Sequence, residues 1–186
     1  SGAPLRRRLA RYLSAPLSPV EIRDLPAQVS FRVAPSEPFE LEGARVRSAL
    51  VNHRGPTLGY RIADGDNTLC YLPDHEPALG QPLDGGPDEW ISGLGLVRDA
   101  DLLIHDAQYT EAEYKVTRGW GHSMAGDAVD FAARARAERL ALFHHDPDHD
   151  DGALDLMRIE ATDRWVAAGG DRSGLSLAAE GTSVTL

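Results

Sequence analysis

Arg139-Leu-Ala-Leu-Phe-His-His-Asp-Pro-Asp-His-Asp-Asp151 is the stretch on which the reading of this chain turns. Its apolar residues, Leu140 to Phe143, run straight into His144, His145, Asp146, Asp148, His149, Asp150 and Asp151. A short apolar run bounded by polar residues and Pro predicts a buried strand. The polar cluster then falls where the strand leaves the core. A strand end holds its backbone rigid while its side chains reach solvent, which is where folds place ligands and catalysts. Imidazole and carboxylate together suit Zn, Mn or Fe. The competing reading is a solvated loop that happens to be rich in His and Asp.

Outward from that stretch the same pattern returns. Ala44–His53 predicts a strand ending in a histidine, and Thr68–Leu72 one that runs into Pro73-Asp74-His75-Glu76. Asp101–Ala107 predicts another strand, with His105 and Asp106 at its end. Any one such histidine is more often structural than functional. Their recurrence at strand termini matters because a sheet can gather those ends at one edge. Leu58–Ile62 predicts a strand joined to the next by a hairpin turn at Asp64-Gly65-Asp66-Asn67. Further strands are expected at Val20–Arg23 and at Val29–Val33, where apolar and polar residues alternate. Leu175–Ala179 and Ser183–Leu186 are expected to pair with each other.

Helical spacing predicts helices at Leu5–Leu13, at Ala125–Glu138 with Ser123 as N-cap, and after Asp150 or Asp151, ending at Gly169-Gly170. Residues 77–97 predict a long loop with one helical turn, and 109–121 a polar, mobile one. Hairpins first, then strands alternating with helices, make an α/β chain with helices covering a sheet. A length of 186 residues fits one domain, 1–186.

The formal net charge of −10 disfavours a general nucleic-acid binder, which needs a basic face. It leaves open an enzyme acting on phosphate at a metal centre, where the cation supplies the local positive charge. The single cysteine, Cys70, rules out an intrachain disulfide and fits a reducing compartment, so a cytoplasmic protein is expected. No apolar run reaches about 18 residues, so no membrane span is expected.

The ordered set Asn52-His53-Arg-Gly-Pro-Thr-Leu-Gly-Tyr-Arg-Ile62, Cys70-Tyr-Leu-Pro-Asp74, Asp101-Leu-Leu-Ile-His-Asp-Ala107, Gly121-His122-Ser123, Leu140-Ala-Leu-Phe-His144-His145 and Ala179-Glu-Gly181 resembles the C-terminal part of the metallo-β-lactamase-fold hydrolases. The branch resembled is that of ribonuclease Z and the cyclic-phosphate phosphodiesterases. The resemblance implies an αββα sandwich, here its C-terminal portion. It implies two divalent transition-metal ions, Zn or Mn. His53 matches a ligand of the first ion, Asp74 the bridging carboxylate and His144 a ligand of the second. His145 is the weaker candidate, because it points the other way along the strand. His122 matches the histidine beside the scissile phosphate, and Asp106 either orients a ligand or caps its strand. Together these imply a phosphodiesterase in which a metal-activated hydroxide attacks small cyclic phosphates or nucleotides, with a small phosphate ester as substrate and no strong nucleic-acid binding.

The family's His-x-His-x-Asp-His motif is absent, and no histidine precedes His53. The expectation drawn from this is a C-terminal fragment of a longer protein. The alternative is a non-catalytic binding or interaction module on the same fold. A fragment exposes a sheet face, which implies pairing into a homo-oligomer or low stability. Another hydrolase of the superfamily, a thioesterase or lactonase, fits Gly121-His122-Ser123 less well.

Overall fold

The structure, a computed structural model, describes residues 3–83 and 85–186. The chain divides into two units, Ser1–Pro35 and Ser36–Leu186.

In the first unit, α1 spans Ala3–Tyr12, close to the expected helix, and a 3-10 turn spans Ile22–Asp24. Two expected strands are corrected here. Val20–Arg23 becomes that turn, closed by a capping box between Glu21 and Asp24. Val29–Val33 forms no strand; Val29 and Val33 lie exposed. Alternation marks a strand only where a neighbour supplies the ladder and a core covers one face, and this segment pairs with no strand.

The second unit is built on one seven-stranded sheet in sequence order, β1 (Phe39–Leu41), β2 (Ala44–Val51), β3 (Thr57–Asp64), β4 (Asn67–Leu72), β5 (Leu102–Asp106), β6 (Arg139–Phe143) and β7 (Leu175–Leu177). β1 to β4 form an antiparallel meander, and β4 to β7 pair in parallel. The β3–β4 turn falls where expected: Asp64 faces Asn67 across Gly65-Asp66, and Gly65 takes φ +58°.

Helices α2 (Leu94–Val97), α4 (Ala125–Ala135) and α5 (Asp151–Ala167) cover the sheet face that carries Cys70, Leu103, Leu140 and Leu175 in one cross-strand row. The expected inward face of α4, Ala125, Ala128, Val129, Ala132 and Ala135, is buried, with Phe131 fully enclosed beside it. Small residues at this spacing let the helix lie close on the sheet, and Phe131 fills the gap that remains. Arg136 ends α4 in the left-handed conformation, short of the expected Glu138. Asp150 caps α5, its carboxylate accepting from the Ala153 N–H at 2.8 Å. One sheet covered by helices is the α/β architecture the sequence implied.

Two further expectations change, and the one helical turn expected within 77–97 is found as α2. Residues 109–121 are not a mobile polar loop. They contain α3 (Glu111–Thr117), opened by a capping box between Thr110 and Glu113 and pinned by buried Tyr109 and Tyr114. Residues 77–97 fold into a 3-10 turn at Asp88–Trp90 and then α2, burying Leu83, Ile91, Leu94, Leu96 and Val97. Ser183–Leu186 makes no strand. β7 lies parallel to β6, delivered there by α5, and no ladder reaches the last residues. Among the described residues no helix is long and apolar enough to cross a membrane.

Candidate metal centre

Strand directions place the site. β2 and β4 each run antiparallel to β3, so they run the same way as each other, and β5 and β6 run parallel to β4. The C-terminal ends of β2, β4, β5 and β6 therefore leave the sheet at one edge. His53 lies just past β2, Asp74 just past β4, Asp106 ends β5 and His144 follows β6. His122 joins them from the loop ahead of α4.

One ligand atom from each of His53, Asp74 and His122 lies within 4.8 Å of the others, and the same holds for Asp106, His122 and His144. His53 Nε2 faces His122 Nε2 at 3.3 Å, and His144 Nε2 lies 3.4 Å from Asp74 Oδ1. The rings of His122 and His144 are 4.8 Å apart. His144 has φ +60°, a left-handed backbone uncommon for a residue with a side chain, set where the strand must turn into the rim. His145 lies outside both triads.

Asp106 holds His122. Its fully buried carboxylate takes the His122 Nδ1–H at 2.6 Å and the His75 N–H at 3.0 Å on Oδ2, with the Gln108 and Ser123 N–H groups on Oδ1. It both orients a site imidazole and ties off its strand end, so the two sequence alternatives are one arrangement. Burial acts against a charged His122. The Asp106 hydrogen bond and charge, with Asp74 and Glu76 adding to them, outweigh burial and carry its pKa above 6.5. Ser123 is not the helix cap. Met124 takes that position, and Ser123 Oγ donates to the His75 carbonyl at 2.7 Å.

His105 falls behind the site, fully buried against Phe131. Burial lowers the pKa of both His105 and His75, which leaves them neutral. His105 Nδ1 lies 2.7 Å from the Asp106 carbonyl, so Nδ1 carries its proton. His105 Nε2 then accepts from His75 Nδ1 at 2.9 Å. The pair braces the backbone of Asp106.

Glu76 is a residue the sequence did not single out, and Gly121 entered only as part of the Gly121-His122-Ser123 motif. Glu76 is fully buried and accepts from Tyr114 Oη, the Gly119 N–H and the Gly121 N–H, each at 2.8 Å. Its own N–H donates to the Asn52 carbonyl at 3.0 Å. One carboxylate thus ties the loop that carries His122 to the strand end that carries His53. Gly121 takes φ +101°, and a Cβ there would sit 2.7 Å from His53 Cδ2 and 2.9 Å from Arg54 N. The available signals were a glutamate inside the apolar surroundings of Tyr71-Leu-Pro-Asp-His-Glu-Pro-Ala78, and the glycine next to His122.

The donor set fits a divalent metal. Imidazole and carboxylate are ligands of Zn and Mn, and the remaining Asp106 oxygen contacts are the outer support such ligands carry. His53 Nε2 and His122 Nε2 approach each other at this edge to 3.3 Å.

A β-sheet covered by helices, with imidazoles and carboxylates gathered at one edge of it, is the architecture of the metallo-β-lactamase fold. Residues 2–145 match the family model of the β-lactamase superfamily domain, and the chain belongs to that family. It is similar to ribonuclease Z of Halobacterium salinarum, 50% identical over 137 residues that cover 53% of this chain and 44% of that protein. Ribonuclease Z of Sulfurisphaera tokodaii is 43% identical over 68 residues, 37% of this chain and 22% of the relative. The chain therefore spans less than half of either relative. Among solved structures, the metallo-β-lactamase fold protein YhfI from Bacillus subtilis superposes with a TM-score of 0.61 at 19% identity, covering 95% of this chain and 59% of that one. Zinc-bound PqqB from Methylobacterium extorquens gives 0.58 at 18% identity, covering 83% and 55%. These structures show the fold.

Proposed function

We propose that this chain provides the metal-binding and proton-donating rim of a metal-dependent phosphodiesterase. The observation that carries the reading is the convergence of His53, Asp74, His122 and His144 from separate strand ends and loops, with Asp106 behind them. The ribonuclease Z relatives support a phosphate-ester substrate, and the zinc in PqqB supports the choice of metal.

In this reading His53, Asp74 and His144 hold divalent metal, two ions being the expectation for the intact protein. Bound there, the metal supplies Lewis-acid activation of water and of the phosphate oxygens. His122 is the proton donor. Its Nδ1 is committed to Asp106, so Nε2 is the end that faces the substrate. A proton held there would be given to the departing oxygen as the P–O bond breaks, with Asp106 holding the ring in place. Asp106 fixes the tautomer and the ring plane. Small cyclic phosphates or nucleotides are the proposed substrates.

The test is metal analysis of purified protein together with hydrolysis of bis-p-nitrophenyl phosphate. Bound transition metal and chelator-sensitive cleavage are expected. The second reading is a binding module without catalysis. Metal-free protein that cleaves nothing, from a chain carrying all of its native sequence, establishes that reading instead.

A further inference from the structure

Two side chains beside the rim play no part in the proposed chemistry. Arg54 directly follows His53, and Trp120 lies two residues before His122. The Arg54 guanidinium carbon sits 5.8 Å above the Trp120 ring. Neither is there by accident of a floppy loop. Glu76 holds the Gly119 and Gly121 amides, and Gly121 lies against His53 and the Arg54 amide, so the loop bearing Trp120 is seated directly on the segment bearing Arg54. Arg54 is exposed and, among the described residues, pairs with no carboxylate, in a chain whose net charge is −10. Trp120 is 49% exposed. An indole that large left half in water, two residues from His122, is an unusual use of an aromatic surface.

We propose that Arg54 and Trp120 form the substrate-recognition pair of this site, and that the substrate they select is a nucleotidyl phosphate ester. This rests on the phosphodiesterase reading and narrows its substrate class. The guanidinium presents planar donors to a phosphate oxygen beside the rim. The open part of the indole takes a nucleobase by stacking, a contact every base can make without hydrogen-bond readout. A simple alkyl phosphate uses only the first contact, a nucleotide both. The flat indole favours a purine or pyrimidine over a sugar alone.

The experiment compares binding of adenosine 5′-monophosphate and ribose 5-phosphate by isothermal titration, on the purified chain and without reliance on turnover. Stacking of one base predicts that the nucleotide binds on the order of ten- to a hundredfold more tightly. Trp120→Ala should erase that ratio, Trp120→Phe should keep most of it, and Arg54→Ala should weaken both ligands alike. The indole N–H resonance that Trp120→Phe removes should be the one that shifts with the nucleotide. Equal binding of both ligands by the unmodified chain overturns the proposal. So does a base preference that survives Trp120→Ala, or one lost instead in Trp90→Ala. Trp90 is the other exposed indole and lines a separate apolar groove with Asn52, Leu79 and Ile91. Base preference without cleavage of bis-p-nitrophenyl phosphate would break the phosphodiesterase reading alone. Cleavage without base preference would break this one.

Discussion

Between His144 and Asp151, three imidazoles and four carboxylates crowd into eight residues; His53, Asp74, Asp106 and His122 each stand in ordinary surroundings. The two regions put their polar groups to different uses. From the crowded stretch only His144 reaches the rim. Asp146 accepts the Asp148 N–H at 3.0 Å, which folds the turn. His149 pairs with Glu113 at 2.9 Å, closing the turn onto α3. Asp150 caps α5, and Asp151 sits in its first turn, where a negative charge complements the helix dipole. Of the four scattered residues, His53, Asp74 and Asp106 arrive at the rim because strand direction brings their positions to one edge, and His122 arrives from the loop ahead of α4. Density of His and Asp along the chain marks a chain reversal and a helix start here. Recurrence at parallel strand ends marks the site.

The comparison breaks most directly at the histidines. His144→Ala should weaken zinc binding by more than the roughly 10–100-fold usual for losing an outer partner of a metal ligand. His145→Ala and His149→Ala, drawn from the same stretch, should leave zinc affinity within experimental scatter. Titration of zinc against a competing chelator measures all three. Equal losses in the three variants would make the whole stretch the metal site, and the strand-edge account would fail.

Asp106→Asn comes next. The amide keeps the volume but removes the charge that four donors now share. The His122 pKa should drop, since the Asp106 hydrogen bond and charge are what lift it against burial. Proton NMR of the imidazole resonances reads the effect directly. An unmoved His122 titration in a folded Asp106→Asn variant would dissociate the two residues.

How much was legible in the sequence follows from the same contrast. β2 to β6, α4 and α5 announced themselves by period and by turn residues, since each depends on contacts that repeat at a fixed spacing. The candidate residues His53, Asp74 and His144 were legible as groups recurring at predicted strand ends, while His122 and the role of each of the four came only through an ordered resemblance, as no single spacing links residues 53 and 144. Glu76 was illegible because its three donors come from residues 114, 119 and 121, a tertiary arrangement that leaves no local pattern. α3 was overlooked although Thr110-Glu-Ala-Glu113 carries the capping-box signature; its polar face outweighed it. Val29–Val33 failed in the opposite sense, having the strand alternation but no neighbour to pair with.

Asp150→Ala sharpens the scaffold side of the comparison. The variant should lose about 1 kcal/mol of stability, the usual worth of an N-cap carboxylate, with zinc affinity unchanged. A urea midpoint and a chelator titration on the same sample separate the two. A loss of zinc with no loss of stability would return Asp150 to the metal centre.

The smallest expected effect lies in the His149–Glu113 pair. Partial burial raises the Glu113 pKa, but the His149 hydrogen bond and those from Thr110 outweigh it and hold the carboxyl below 4.5. A depressed carboxyl pKa adds stability that is fully present above the unfolded value and is lost as pH falls through the lower folded value. His149→Ala removes one of those restraints. Wild type should therefore exceed the variant in urea midpoint above pH 4.5, and the gap should narrow as the pH falls below it. The pair is partly exposed, so the gap should be smaller than the Asp150 effect and should shrink in salt. Parallel acid curves for the two proteins would mean that His149 contributes nothing through Glu113, and the structural role given to it here would have to be found elsewhere.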